Sequence, residues 1–558
     1  MLSGGVTPAI LFDADGYVLD GPKLMGRQAA GHGFLRAAVR AHAGEPIHAL
    51  TPFRAAAEKF RDVVLGLDPK AQPRWLPASR LGAIAERGLI YRPDANIVTH
   101  ARERLRIGPE RYSICGVTHT LSSHAAHEAL ADLVAGPVMP WDAVVCTSTA
   151  ARTLVEARIS EQEDYLAWRF GQKPATPRPQ LPVIPLGVHC ADFAFTEADR
   201  AAARLRLELA HDEVAALFAG RLTFNAKAHP FQMYAGLEQA ARATGRKLVL
   251  IHAGRFPNAA IGELFKSAVA QWCPSVRVLF VDGGDFALYA AAWRAADIFI
   301  SLSDNIQETF GITPLEAMAC GLPVLVSDWD GYKDTVRDGV DGFRIPTWAP
   351  APGAGAEMAL DYETSTLNYD YFLSRTSTTV SVEAPALLER LTALIDNLEL
   401  RRRLGDAGRA RARQAFDWAV VYARYEALWA ELGEIRARAA ADPALRLGAA
   451  PRASPVRPDP FTAFGHYPTR QIRPSTRVRA AAGANGRSYA ALIAHPMHQP
   501  WRSEPEQVER TLAACRGAGT TVQHLADQLR EPVAGVLERV ARLAKMELVI
   551  LEAGEASG

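Results

Sequence analysis

Residues 301–326 read Ser301-Leu-Ser-Asp-Asn-Ile-Gln-Glu308-Thr-Phe-Gly-Ile-Thr313-Pro-Leu-Glu316-Ala-Met-Ala-Cys-Gly321-Leu-Pro-Val-Leu-Val326. Their pattern is strand, loop, short helix, strand. Ala296–Ser301 ahead of them and Pro323–Val326 at their end are short apolar, β-branched runs, as buried parallel strands are. Between the two, Thr313 suits an N-cap, Pro314 the first helical position and Gly321 the stop, so the spacing predicts about two helical turns from Thr313. The open amides and positive end of such a helix face the carboxyl edge of the sheet, where anionic phosphates bind. Glu308 and Glu316 bracket the helix start. Thr313-x-x-Glu316 also fits a capping box, which would make Glu316 purely structural. Glu308 sits beside Phe310-Gly311, where a glycine lets a ligand approach the backbone.

Outward from this stretch, strand-like and helix-like segments alternate along most of the chain, which predicts α/β architecture with parallel sheets. Ala9-Ile-Leu-Phe12 is a first strand. It leads to Asp13-Ala-Asp15-Gly and then to Gly26-Arg27-Gln-Ala-Ala-Gly31, small residues that open a helical pattern. Asp13 and Asp15 would suit a metal site or a phosphatase of the haloacid-dehalogenase type, but Tyr17 stands where that motif needs threonine. His119 ends the strand-like run from Tyr112, and a lone histidine is more often structural than catalytic. Val214-Ala-Ala-Leu-Phe-Ala is another buried strand, ending in Gly220-Arg221 with Lys227 on the loop behind it.

The segment from Glu308 to Val324 resembles the E-x7-E region of retaining glycosyltransferases of the GT-B fold, family 4 ("group 1"). Both glutamates, Phe-Gly, Glu-Ala-Met-Ala and Gly-x-Pro-Val take part in the likeness. Val183-Ile-Pro-Leu-Gly-Val188 resembles the family's interdomain crossover, and Phe416 to Trp429 its final helix, so the likeness covers residues 8 to 432. It implies two Rossmann-like domains, 1–190 on the acceptor side and 191–415 binding the nucleotide sugar, with 416–435 crossing back to the first. By the same resemblance, Arg221 and Lys227 clamp the donor diphosphate with Gly220 and the amides of Phe310, Gly311, Ile312 and Thr313. Glu316 takes the ribose hydroxyls, Glu308 holds the transferred sugar, and His119 contacts it from the opposite domain. Gly26, Arg27 and Gly31 line the donor phosphates. The implied reaction moves a sugar from a nucleotide diphosphate donor to a hydroxyl acceptor on a glycan, a lipid-linked glycan or a protein, with no metal and no cofactor. A nucleotide-sugar epimerase of the same fold is the alternative enzyme.

Trp348 to Thr378, Pro/Gly-rich and then Tyr-rich, is expected as a surface loop or lid. Residues 436–488, rich in Ala, Arg and Pro, are expected to be a linker. Residues 489–558 resemble a winged-helix module, with helices over 520–529 and 533–546 followed by a strand. A regulatory or scaffold role would rest on that module. Glutamates interleave its basic residues, so a protein or peptide docking site is expected in place of nucleic-acid binding. The net charge of +1 agrees. Six cysteines without metal spacing point to a reducing, cytoplasmic setting, and no apolar run is long enough to span a bilayer. Peripheral membrane association is the most that is expected.

Overall fold

The computed structural model describes residues 7–19, 26–225, 227–439, 441–498 and 503–552. The segment 20–25 ahead of Gly26, and Trp501, lie outside the described residues. The chain divides into two compact units, Met1–Ser454 and Pro455–Gly558.

The first unit is built on two six-stranded sheets. One contains β1 (Ala9–Leu11), β2 (Pro46–Thr51), β3 (Gln72–Pro77), β4 (Leu89–Tyr91), β5 (Ser113–Val117) and β6 (Ala143–Val145), in the order β3-β2-β1-β4-β5-β6. The other contains β7 (Val214–Ala219), β8 (Leu248–Gly254), β9 (Arg277–Asp282), β10 (Ile298–Ser301), β11 (Val324–Ser327) and β12 (Gly342–Ile345), in the order β12-β11-β10-β7-β8-β9. Every pairing in both sheets is parallel. Side chains alternate between two buried faces, as the two-residue period of a strand requires. Ala215, Leu217 and Ala219 of β7 enter one apolar cluster while Val214, Ala216 and Phe218 enter another. In β6, Ala143 and Val145 separate from Val144 in the same way. Both faces of β6 and β7 are covered, which is why these two strands are apolar along their whole length. Two Rossmann-like sheets of this kind are the architecture that the GT-B resemblance implies.

Strand order reverses between β1 and β4 in the first sheet and between β7 and β10 in the second. Loops leaving such neighbours diverge and open a crevice at the carboxyl edge. Gly220, Arg221 and Lys227 follow β7 and Glu308 follows β10, so the second crevice gathers four of the expected site residues. Phe416 hydrogen-bonds Val188, and the helix Trp418–Ala439 returns to the first sheet. There Trp418, Tyr422, Tyr425 and Trp429 pack round Phe34 and Tyr91.

Three expectations are corrected. The helix after Glu308 runs Ile312–Cys320 from an N-cap at Gly311, whose φ is 80°. Thr313 is therefore inside the helix, and Glu316 stands in the second turn, too far along to close a capping box. Residues 348–378 are largely helical: Ala356–Glu363 and Tyr369–Ser377 rise from a ribbon of β13 (Thr347–Trp348) and β14 (Ser381–Val382). The stretch 436–488 is only partly a linker, because the second unit begins at Pro455 and β15 (Arg477–Ala480) is the middle strand of its sheet.

That sheet pairs β15 with β16 (Thr520–Thr521) and β17 (Val549–Glu552), both antiparallel. The helices Val522–Leu529 and Val533–Lys545 stand close to the expected positions, with Val536, Val540 and Leu543 in the unit's apolar core. The middle strand precedes the helices in sequence, whereas a wing hairpin would follow them.

Candidate active site

Local backbone geometry explains why the loop after β10 stays open. Gly311 holds a left-handed φ, and a Cβ there would lie 2.1 Å from the Tyr332 ring, so no other residue fits. Tyr332 is fixed in turn by Ser301 Oγ at 2.9 Å from its hydroxyl. No side chain caps the helix Ile312–Cys320, leaving the first-turn amides of Ile312 and Thr313 directed at the crevice. Gly220, with φ of 145°, turns the chain off β7 and aims Arg221 at the same place.

Charges converge on this point. Lys227 Nζ donates to Glu308 Oε2 at 2.7 Å. Burial would raise the Glu308 carboxyl, but Lys227 and the amides of Phe310 and Thr309 outweigh it and hold it below the usual carboxylate range. Arg221 donates to the neutral Gln307 Oε1 at 3.1 Å and forms no ion pair among the described residues. Burial pushes its guanidinium pKa down, with Glu308, Asp370 and Tyr369 acting the other way. Glu316 has no hydrogen-bond partner among the described residues, and burial pushes its carboxyl up to about 7, with Lys227 pulling weakly against it. A carboxylate so placed is short of donors, which ribose hydroxyls would supply.

Two further carboxylates escaped the sequence reading. Asp304 accepts from the His229 amide at 3.0 Å through one oxygen while the other is buried and unpaired, and burial raises it to about 7. Asp330 lies next to Glu308 in the loop after β11, with φ of 32° and a buried, unpaired Oδ2. Burial and the Glu308 charge push it well above the carboxylate range. An isolated aspartate in an irregular loop gives no sequence signal, and these two are recognisable only once β7, β10 and β11 are side by side.

On the facing sheet, burial lowers the His119 imidazole to about 4, with Asp94 raising and Arg27 lowering it further. His119 and Arg27 are thus neighbours, and Arg27 also lies 3.9 Å from Asp15. Gly26 opens the helix Gly26–Ala41. Gly31 is different: it sits within that helix, and a Cβ there would come 2.0 Å from the Gly16 carbonyl, so packing explains this glycine. Asp13 caps the short helix Ala14–Tyr17, and no group of three potential metal ligands occurs among the described residues. The two sheets meet at their carboxyl edges. Ser148 Oγ donates to the Thr309 carbonyl at 2.8 Å, one residue from Glu308, and the Thr149 amide donates to Asp334.

The second crevice lies within a recognised stretch: residues 213–358 match the family described as glycosyl transferases group 1. A D-inositol 3-phosphate glycosyltransferase of Geodermatophilus obscurus is 35% identical over 191 residues, 33% of this chain and 41% of that protein. A phosphatidyl-myo-inositol mannosyltransferase of Mycobacterium tuberculosis is 31% identical over 142 residues, 25% and 29% of the two chains. The chain therefore spans less than half the length of these curated relatives. Among solved structures, the Anabaena protein HepE in complex with UDP and glucose aligns at 16% identity and a TM-score of 0.49, over 76% of this chain and 99% of that one.

Proposed function

We propose that the chain is a retaining glycosyltransferase that takes a sugar from a nucleotide diphosphate donor and places it on a hydroxyl acceptor. The observation that carries this reading is the set of unsaturated groups at the β7/β10 crevice. Among the described residues, Arg221 forms no ion pair, Glu316 has no hydrogen-bond partner, and the helix at Ile312 has no side-chain cap. A donor's diphosphate and ribose complement all three. In this reading Arg221, Lys227 and the first-turn amides take the charge that grows on the leaving diphosphate, so no metal is assigned to that task. Glu316 accepts the ribose hydroxyls. Glu308, kept ionised by Lys227, holds the hydroxyls of the transferred sugar and favours its oxocarbenium-like state. His119, neutral at pH 7, hydrogen-bonds the sugar from the first sheet, and Gly26 with Arg27 borders the phosphates.

The names of the relatives make D-inositol 3-phosphate and phosphatidylinositol the first acceptors to try. The test is incubation with UDP-, GDP- and ADP-sugars and these acceptors, following nucleoside diphosphate release and the anomeric configuration of the product by NMR. Acceptor-dependent release with retention is expected. Release that no acceptor stimulates, or an inverted product, overturns the proposal.

For the second unit we retain docking of a protein or peptide over nucleic-acid binding. Arg539 is directed inward to Thr511 and Glu531, and Arg542 pairs with Glu538, so this helix offers no cationic stripe. A cytoplasmic setting agrees with six free and buried cysteines. No helix among the described residues is long and apolar enough to cross a membrane.

A further inference from the structure

The helical excursion between β13 and β14 runs past residue 358, where the family match ends, and it has its own small aromatic core. Tyr362 stacks on Phe372 with centroids 4.6 Å apart, and Arg375 binds Asp361. It touches both sheets' loops. Tyr362 stacks on His124, at 3.8 Å between centroids, and the Tyr369 hydroxyl lies 2.8 Å from Ser122 Oγ. His124 and Ser122 follow β5 of the first sheet. The same hydroxyl accepts from Gln307 Nε2 at 3.3 Å on the second sheet, and Gln307 Oε1 accepts from Arg221 Nη2 at 3.1 Å.

We propose that Tyr369 is a positioning residue which makes the grip of Arg221 on a diphosphate depend on this excursion being seated across both sheets. The inference rests on reading Arg221 as the diphosphate ligand. A guanidinium only donates, so Gln307 must turn its carbonyl oxygen to Arg221 and its NH2 group elsewhere. The Tyr369 hydroxyl receives that NH2, while Ser122 holds the hydroxyl in place. The Gln307 backbone is pinned independently, its amide donating to Asn305 Oδ1 at 2.8 Å. The side-chain amide is held between Arg221 and the Tyr369 hydroxyl, and Tyr369 sets which way its two ends face. Without the hydroxyl, the amide can turn its NH2 towards Arg221, and the guanidinium loses its orientation.

The decisive measurement is a double-mutant cycle on the full chain by titration calorimetry, with UDP, GDP and ADP against uridine, guanosine and adenosine. Tyr369→Phe is expected to weaken the bound nucleoside diphosphate by about three- to tenfold, the loss of one hydrogen bond's worth of orientation. Affinity for the matching nucleoside should be unchanged. In an Arg221→Ala background, Tyr369→Phe should have no further effect on the diphosphate. Ser122→Ala, which removes the other bond of the same hydroxyl, should act in the same direction and serves if Tyr369→Phe does not fold. Wild-type diphosphate affinity in the variants, or an equal loss with and without Arg221, overturns the inference alone. A wild-type chain that binds none of the three diphosphates overturns the proposed function, and this inference falls with it.

Discussion

Arg104 and Arg221 are both arginines withdrawn from water, and they are held in opposite ways. Arg104 is completely buried behind the first sheet and forms a fork with Asp142 at 2.7 Å on both oxygens, adding the carbonyls of Tyr112 and Pro137. Asp142 is completed by the amides of Ile114 and Met139. The protein itself meets that network's demands except at Arg104 Nε, which is buried without a partner among the described residues, so its consequence is rigidity. Arg221 has one neutral partner, and Glu316, in the same crevice, has none among the described residues. A buried charge paired with an opposite charge of its own chain holds the fold together; one left without a counter-ion at a sheet edge is directed at something that arrives.

The largest effect is expected at Arg104. Arg104→Ala leaves Asp142 buried and uncompensated, and should cost about 3–5 kcal/mol in urea unfolding. A loss below ~1 kcal/mol would mean the network is dispensable. Arg221→Ala is expected to do the reverse. Turnover should fall at least ~10²-fold while the unfolding midpoint barely moves, because a group with few protein contacts contributes to the transition state more than to the fold. Unchanged turnover in the purified variant removes Arg221 from the site, and Lys227→Ala offers the same test for its neighbour.

Glu316 sharpens the contrast through pH. Its folded pKa of about 7 lies above the ordinary value of 4.5, so the folded state holds its proton more tightly than the unfolded state does. Stability from this group is greatest below about pH 4.5 and declines as pH rises to about 7. Glu316→Gln should therefore stabilise the protein at pH 8 by up to ~3 kcal/mol, and should change it little near pH 4.5. Donor affinity should fall at the same time. A variant that is no more stable at pH 8 than the wild type would show that Glu316 has a partner after all. The smallest effect belongs to the second unit. All four apolar clusters of the first unit are made from residues before 433. Removing 455–558 should thus leave nucleoside diphosphate affinity within about twofold, while transfer to a large acceptor falls. Loss of donor binding on truncation would place the unit in the catalytic fold.

Much of this was legible in the sequence because parallel strands buried on both faces are written as short apolar runs, and β7, β8, β10 and β11 are all of that kind. Arg221 and Lys227 were singled out by the family resemblance, and they and Glu308 lie in the loops that follow β7 and β10. The capping-box reading of Glu316 went wrong at Gly311. Its left-handed backbone starts the helix before Thr313, and that choice is imposed by the ring of Tyr332, a contact between separate loops. Gly31 misled in the opposite sense: a glycine that lets two backbones touch looks, in sequence, like one that lets a phosphate in. Gln307 and Tyr369, 62 residues apart, carry no pattern because their chemistry exists only after both sheets are built.

The helix Trp418–Ala439 has a consequence for the order in which the molecule is made. It supplies Trp418, Val421, Tyr422, Tyr425, Leu428, Trp429 and Leu432 to the core that contains β1. The first sheet thus leaves the ribosome before the second and is finished after it. Until more than two hundred further residues have followed β6, the faces of Phe34 and Tyr91 have no aromatic cover from the chain's own later helix. In the growing polypeptide, the sheet made first waits for its cover on a helix made after the second sheet.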